Sequence, residues 1–308
     1  MRKLLLAFCV AALVSASALA QSQQAPTLRI VSEDGNRLPS ELMYGNTRVK
    51  PLRLRPGTNQ PITIEDHDFF VQQQYVDFLS RFPDQPGFQF WLGQITGCGT
   101  NANCVEGQRI NTSGAFFLAI EFQETGFLVY RLHKASFGDL PRYENFMPNT
   151  RQVASGVVVN QGEWRAQLET NKQNFINSWV QSAAFLQEYP ASMAAGAYVD
   201  KLIQKAGLTA GDVGRDALVS GLGAGTETRA SVLRKIAESA AFSAKEKNPA
   251  FVLMQYFGYL RRNPDAAPDN NLDGYHFWLQ KLNNHGGDFH GAEMVKAFLV
   301  SGEYRSRF

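Results

Sequence analysis

The chain has 308 residues, 44% of them hydrophobic and 19% charged, with 30 lysines and arginines against 28 aspartates and glutamates. Two of the cations, Arg2 and Lys3, fall in a segment that reads as removable, so the remaining charges balance. A net charge near zero gives no electrostatic case for nucleic acid or for an anionic membrane.

Residues 1–20 are expected to be a secretory signal peptide. Arg2 and Lys3 precede an apolar run from Leu4 to about Val14, and Ala18-Leu19-Ala20 supplies the small residues of a cleavage site. Cys9 follows Phe8 inside that run and lacks the small neighbour that lipoprotein processing needs. The expected location is secreted, periplasmic or extracellular, with no integral membrane span after cleavage. Residues 21–64 are expected to be a polar linker and a short β-rich segment. Leu28 to Val31, Arg48 to Lys50, Leu52 to Leu54 and Ile62 to Ile64 are β-favouring and separated by turn residues, yet together too short for a sheet core of their own.

From Glu65 the apolar spacing becomes helical. Val71, Tyr75, Phe78, Leu79 and Phe82 mark one helix, and Phe88, Trp91, Leu92 and Ile95 a second, preceded by Asp84 and Pro86 as cap and first turn. A third runs through Ala115, Phe116, Phe117 and Ile120. Between the second and third, Cys98 and Cys104 flank a Gly/Thr/Asn loop. They are the only cysteines left in a chain bound for an oxidising compartment, and a disulfide between them is expected.

The first two helices then recur. FVQQQYVDFLSRFPD, from Phe70, and FVLMQYFGYLRRNPD, from Phe251, share Phe, Val, Gln, Tyr, Leu, Arg, Pro and Asp in register, and after an insertion Gly87 to Leu92 lines up with Gly274 to Leu279. Looser copies start at Tyr130 and Tyr198, and aromatic-ended closings at Phe122, Phe185, Phe242 and Tyr304 are spaced by about sixty residues. The expected fold is mainly α, with repeated three-helix-type units forming a helical array or bundle: 65–125, 126–191 (divergent), 192–245 (divergent) and 246–308. The pattern Phe-Val…Tyr…Leu-x-Arg-x-Pro-Asp…Gly…Phe-Trp, with a Ser-x-Glu-Tyr end, resembles the bacterial secreted and surface module known as domain of unknown function 4214. That family is itself distantly similar to phycobilisome linker domains. The resemblance implies an all-helical module of exported proteins and brings no catalytic residues with it.

Candidate chemistry is sparse. Asp269, Asn271 and Asp273 with Gly274 match the front half of a calcium loop, but Phe277 and Gln280 stand where further ligands belong, so a polar insertion with Asp273 as helix cap is the alternative reading. His285, Asp288 and His290 share a loop without a third ligand or nucleophile beside them. Gly221 to Thr226 reads as a turn ahead of a helix capped by Thr226 or Thr228, without the Gly-Lys-Ser/Thr of a phosphate loop. Trp164 and Trp179 would suggest a carbohydrate platform only if exposed together. Finally, Arg81 and Arg262 follow their tyrosines by six residues, while Glu121 and Glu303 immediately precede a closing aromatic. The middle copies lose both members, with Ser136 and Gln204, and Ala184 and Ala241, in those places. Arg81–Glu121 and Arg262–Glu303 are therefore expected to be partly buried ion pairs. The function expected is a non-enzymatic structural or interaction module with an envelope or extracellular protein partner, or a polysaccharide, and no cofactor. The alternatives are a calcium- or carbohydrate-binding adhesion component and an extracellular hydrolase.

Overall fold

The computed structural model describes residues 53–308 and, as backbone, strands β1 (Leu28–Ser32), β2 (Ser40–Tyr44) and β3 (Thr47–Arg48), which pair antiparallel in that order. The expected signal peptide and the linker to Pro26 lie outside the described residues. From residue 53 the expected strands do not form. Leu54 and Pro61 make an isolated bridge, and Ile62 to Ile64 is irregular. Other bonds take that backbone instead: Asp66 accepts from the Thr63 amide, Arg55 reaches Asp66 and Asp68, and Ile64 is buried with the helices. The segment is stapled to the first helix of a mainly helical fold.

Helix α1 (His67–Leu79) ends at Ser80, whose left-handed backbone returns its amide to Tyr75. Asp84 caps α2 (Gln85–Thr96) by accepting from the Gly87 amide, and Asn101 caps α3 (Ala102–Leu118) by accepting from the Cys104 amide. The Cys98 and Cys104 sulfurs, 1.98 Å apart, join the end of α2 to the start of α3. Phe82 is exposed beyond α1, and Ile120 belongs not to α3 but to α4 (Ile120–Glu124), because Ala119 breaks the helix. Next come α5 (Gly126–Phe137), α6 (Tyr143–Ala154), α7 (Trp164–Trp179) and α8 (Ala183–Glu188). They are followed by α9 (Ala195–Ala206), α10 (Ala210–Val213), α11 (Arg215–Ala224), α12 (Arg229–Ala237) and α13 (Ala240–Gln255). A π turn, Tyr256–Leu260, extends α13, and α14 (Asp273–Asn284), α15 (Met294–Val300) and α16 (Gly302–Arg305) finish the chain. The expected turn at Gly221 to Ala224 is the last turn of α11, with left-handed Gly225 ending it, while Thr228 caps α12.

One break recurs four times. Ala119, Ser182, Ser239 and Ser301 have φ near −61 to −65° and ψ of 141 to 148°, each just before a helix that carries a buried aromatic: Phe122, Phe185, Phe242 and Tyr304. The three serines accept the amide of that aromatic; alanine cannot. Only Thr125 separates α4 from α5, and the boundary at 245/246 falls inside α13, so a closing helix can run straight into the next opening one.

The centre is made by α1 and by the end of α13 with its π turn. Residues 250–259 are buried on every face. Phe78 meets Tyr259 edge-on at 5.1 Å, and a Cβ on Gly258 would lie 2.9 Å from the Phe78 ring. The Tyr259 hydroxyl bonds Gln74 and Ser113, and Phe117 stacks on Phe251 at 4.2 Å. The Asp77 side chain, fully buried, receives Arg261 at 3.2 Å and Arg307 at 2.7 Å. The first and last stretches therefore interlock, and the units form a closed bundle.

Candidate functional site

The two strong copies build the same cluster twice. Arg81 Nε and Nη2 donate to the two carboxylate oxygens of Glu121 at 2.6 and 2.7 Å, and Arg262 does so to Glu303 at 2.6 and 3.1 Å. Each guanidinium lies over its tyrosine, Arg81 5.0 Å from the Tyr75 ring centre and Arg262 5.5 Å from that of Tyr256. Beneath them Tyr75 packs on Phe116 and Phe116 on Trp91, as Tyr256 packs on Phe298 and Phe298 on Trp278. Burial pulls both arginines down, but their carboxylate partners outweigh it and hold both above their ordinary range. Burial pushes Tyr75 and Tyr256 up to about 12. The clusters differ in depth, since the Glu121 side chain is 6% exposed and that of Glu303 is 37% exposed.

The insertion in the fourth unit divides one residue's work among several. Asp84 both caps α2 and contacts Arg81 at 3.3 Å. Burial raises its pKa, but the Gly87 amide and Arg81 more than offset this and hold it below its ordinary range. In the last unit Asp269 contacts Arg262 at 2.8 Å, while Asn271, three residues before Gly274, accepts the Asp273 amide. Asp265, aligned with Asp84 in sequence, pairs with Arg142 instead. Asp273 begins α14 without a side-chain cap bond, which corrects the expectation that it caps the helix. Of the three calcium candidates, Asp269 and Asn271 lie in the insertion, turned to an arginine and to backbone, while Asp273 is the first residue of α14, and no group of three or more metal-ligating side chains occurs among the described residues.

The middle copies align differently in space. Tyr75 and Tyr256 stand five residues before the left-handed caps Ser80 and Arg261, whereas Tyr130 and Tyr198 stand eight and nine before Gly138 and Gly207. Counting from the tyrosines was therefore out of register. Residues just after the caps, Asp139 and Leu208, are still not arginine, so the paired loss remains. A guanidinium nevertheless covers Tyr198: Arg229, at 4.4 Å, arrives from the start of α12 and also bonds Tyr189 and Pro190 carbonyls. Sequence spacing could not reveal that replacement, because the arginine comes from a different helix.

Other sequence candidates have structural partners. His290 bonds Asn111 at 2.5 Å, and its amide donates to the Asp288 carboxylate. Trp164 is buried, and Trp179 packs on Phe137 and Phe175 while donating to Ser136, so the two do not form an exposed pair. Phe90 and Phe277, at matching positions of α2 and α14, are different. They are 57% and 56% exposed, each edge-on to the following tryptophan at 4.9 and 5.0 Å.

A cleft of about 500 Å³ lies between α5, α13 and α14. Tyr130, Glu246 and Tyr275 line it with Leu140, Pro249 and Leu279. Tyr130 donates to Glu246 Oε2 at 2.7 Å, and Tyr275 to the Pro249 carbonyl at 3.1 Å. Burial raises the pKa of both phenols, and Glu246 adds to the rise, so they are neutral donors. At the rim Lys134 bonds the Gly138 carbonyl, and Arg142 pairs with Asp265. Nothing in the sequence joined these residues, which come from three elements without a shared motif.

No helix among the described residues is long and apolar enough to cross a membrane. Comparison with protein-family models, with curated proteins and with solved structures found no match for this chain.

Proposed function

We propose that this protein is a secreted, non-enzymatic interaction module of the bacterial envelope or extracellular space, of the kind that the resemblance to domain of unknown function 4214 implies, with its β-rich N-terminal segment leading into four related helical units. The observation that carries this reading is the matched exposure of Phe90 and Phe277. Among the described residues these large aromatics make ring contact only with the edge of a neighbouring tryptophan and are left more than half in water at equivalent positions of two units, and such side chains are favoured anchors for a protein partner. The charged pairs of the recurring motif support the same reading, because Arg81–Glu121 and Arg262–Glu303 hold helix ends together as a scaffold would.

The test is retention of a partner from the host's envelope fraction and culture fluid by the immobilised protein and by a Phe90→Ser/Phe277→Ser double variant. Both substitutions are at exposed sites and should change stability by less than about 1 kcal/mol. A protein retained by the parent and lost by an equally stable double variant supports the proposal. Equal retention by both, or retention of nothing by either, ends it.

A further inference from the structure

We propose that the cleft between α5, α13 and α14 binds a small organic cation, an ammonium or guanidinium on an apolar stem, with Glu246 as its counter-ion. Glu246 is 5% exposed and faces a cleft large enough for such a molecule. Among the described residues its one hydrogen bond comes from Tyr130 to Oε2, and no lysine or arginine pairs with it. Oε1 is neither hydrogen-bonded nor among the polar atoms sealed away without a partner, so it is open to the cleft. A carboxylate this deep is stabilised only when a charge or several donors face it, and here one phenol does so.

The rest of the lining fits the same ligand. Tyr130 and Tyr275, both almost wholly buried, line the cleft beside the carboxylate, and Leu140, Pro249 and Leu279 supply apolar wall for a stem. Elsewhere in the molecule tyrosine rings are covered by the protein's own guanidinium groups, at Tyr75, Tyr198, Tyr256 and Tyr304, whereas neither tyrosine of the cleft has such a cover among the described residues. The two rim cations are already held, Lys134 by a carbonyl and Arg142 by Asp265, so neither neutralises Glu246. The proposal is independent of the Phe90 and Phe277 surface. Its ligand is a cation, whichever partner that surface engages.

The experiment is a titration followed by amide chemical shifts, using butylguanidinium, its neutral counterpart butanol, its anionic counterpart pentanoate, and a capped Ala-Arg-Ala peptide. Saturable binding of butylguanidinium, with shifts confined to α5, α13 and α14, is expected, and butanol and pentanoate should bind at least about tenfold more weakly, because a hydrogen bond to a buried charge is being tested. Binding of the peptide as well as the free cation would assign the site to an arginine side chain of a partner, and binding of the free cation alone to a small metabolite; both support a cation site. Glu246→Gln keeps an acceptor for Tyr130 and should weaken butylguanidinium at least about tenfold. Should that variant fail to fold, Leu140→Phe, which narrows the cleft and leaves the carboxylate intact, should weaken it as well. Equal binding of butanol, unchanged affinity in the folded Gln variant or in Leu140→Phe, or no saturable binding of either cationic probe, overturns the proposal.

Discussion

Arg81 and Arg262 make the same fork with a glutamate, yet removing them should not have the same effect. Glu121 would be left as a carboxylate with 6% of its side chain exposed, and Glu303 with 37%. A buried charge that loses its partner destabilises by about 3–5 kcal/mol, whereas one reached by water loses far less. Arg81→Ala is therefore expected to lower the free energy of unfolding by about 3–4 kcal/mol and Arg262→Ala by about 1–2 kcal/mol, read from urea midpoints at constant slope. Equal losses would mean that Glu121 finds another donor. The pairs themselves could be read from sequence because their members disappear together. Their unequal depth could not be, since depth depends on what covers the carboxylate.

At the scale of an element, the glycine that opens α2 is held by contact. A Cβ on Gly87 would run into the Tyr75 hydroxyl, and one on Gly274 would lie 2.7 Å from that of Tyr256, while Gly93 in the middle of α2 faces open space. Gly87→Ala should destabilise by about 1–3 kcal/mol through overpacking, and Gly93→Ala should stabilise by about 0.5–1 kcal/mol through helix propensity; thermal midpoints of the two variants will show the opposite signs. Much of this level was legible. The apolar periodicity of α1 and α2, the caps Asp84 and Thr228, and the cysteine pair all follow from local patterns, because the interactions that make them span a few residues. What failed was non-local or split. Ile62 to Ile64 reads as a strand, but only the Ile62 amide bonds a neighbouring extended segment, at Arg53, while the Thr63 amide, the Ile64 carbonyl and the Ile64 side chain go to the helical body. Asp269 and Asn271 read as calcium ligands, but Asp269 takes the arginine contact that Asp84 makes in the first unit and Asn271 accepts the Asp273 amide. Glu246 carries no local signal at all, since a lone glutamate on an apolar helix gains its meaning from Tyr130 and Tyr275 on other elements.

At the scale of the whole molecule, the buried Asp77 carboxylate ties α1 to Arg261 and Arg307. Desolvation pulls the pKa of Arg307 down, but Asp77 more than compensates and raises it overall, so the guanidinium is charged where it sits. Asp77→Ala leaves Arg307 without its carboxylate and should destabilise by about 3–5 kcal/mol, while Arg261→Ala, which leaves Arg307 in place, should cost about 1–2 kcal/mol. Calorimetry should record one cooperative transition in the parent, because first and last units share a core; two separated transitions would contradict the closed bundle.

The same interlock sets a condition on biosynthesis. Asp77 finds Arg307 only 230 residues further along the chain. A ribosome adding about 5–20 residues per second therefore holds α1 without its final partner for roughly 10–50 seconds. Until residue 259 has been added, the face of α1 that will meet Tyr259 stays uncovered, and the early units cannot reach their final packing one by one. The final packing of the first unit therefore waits for the last helices, and its apolar face needs shielding in the meantime.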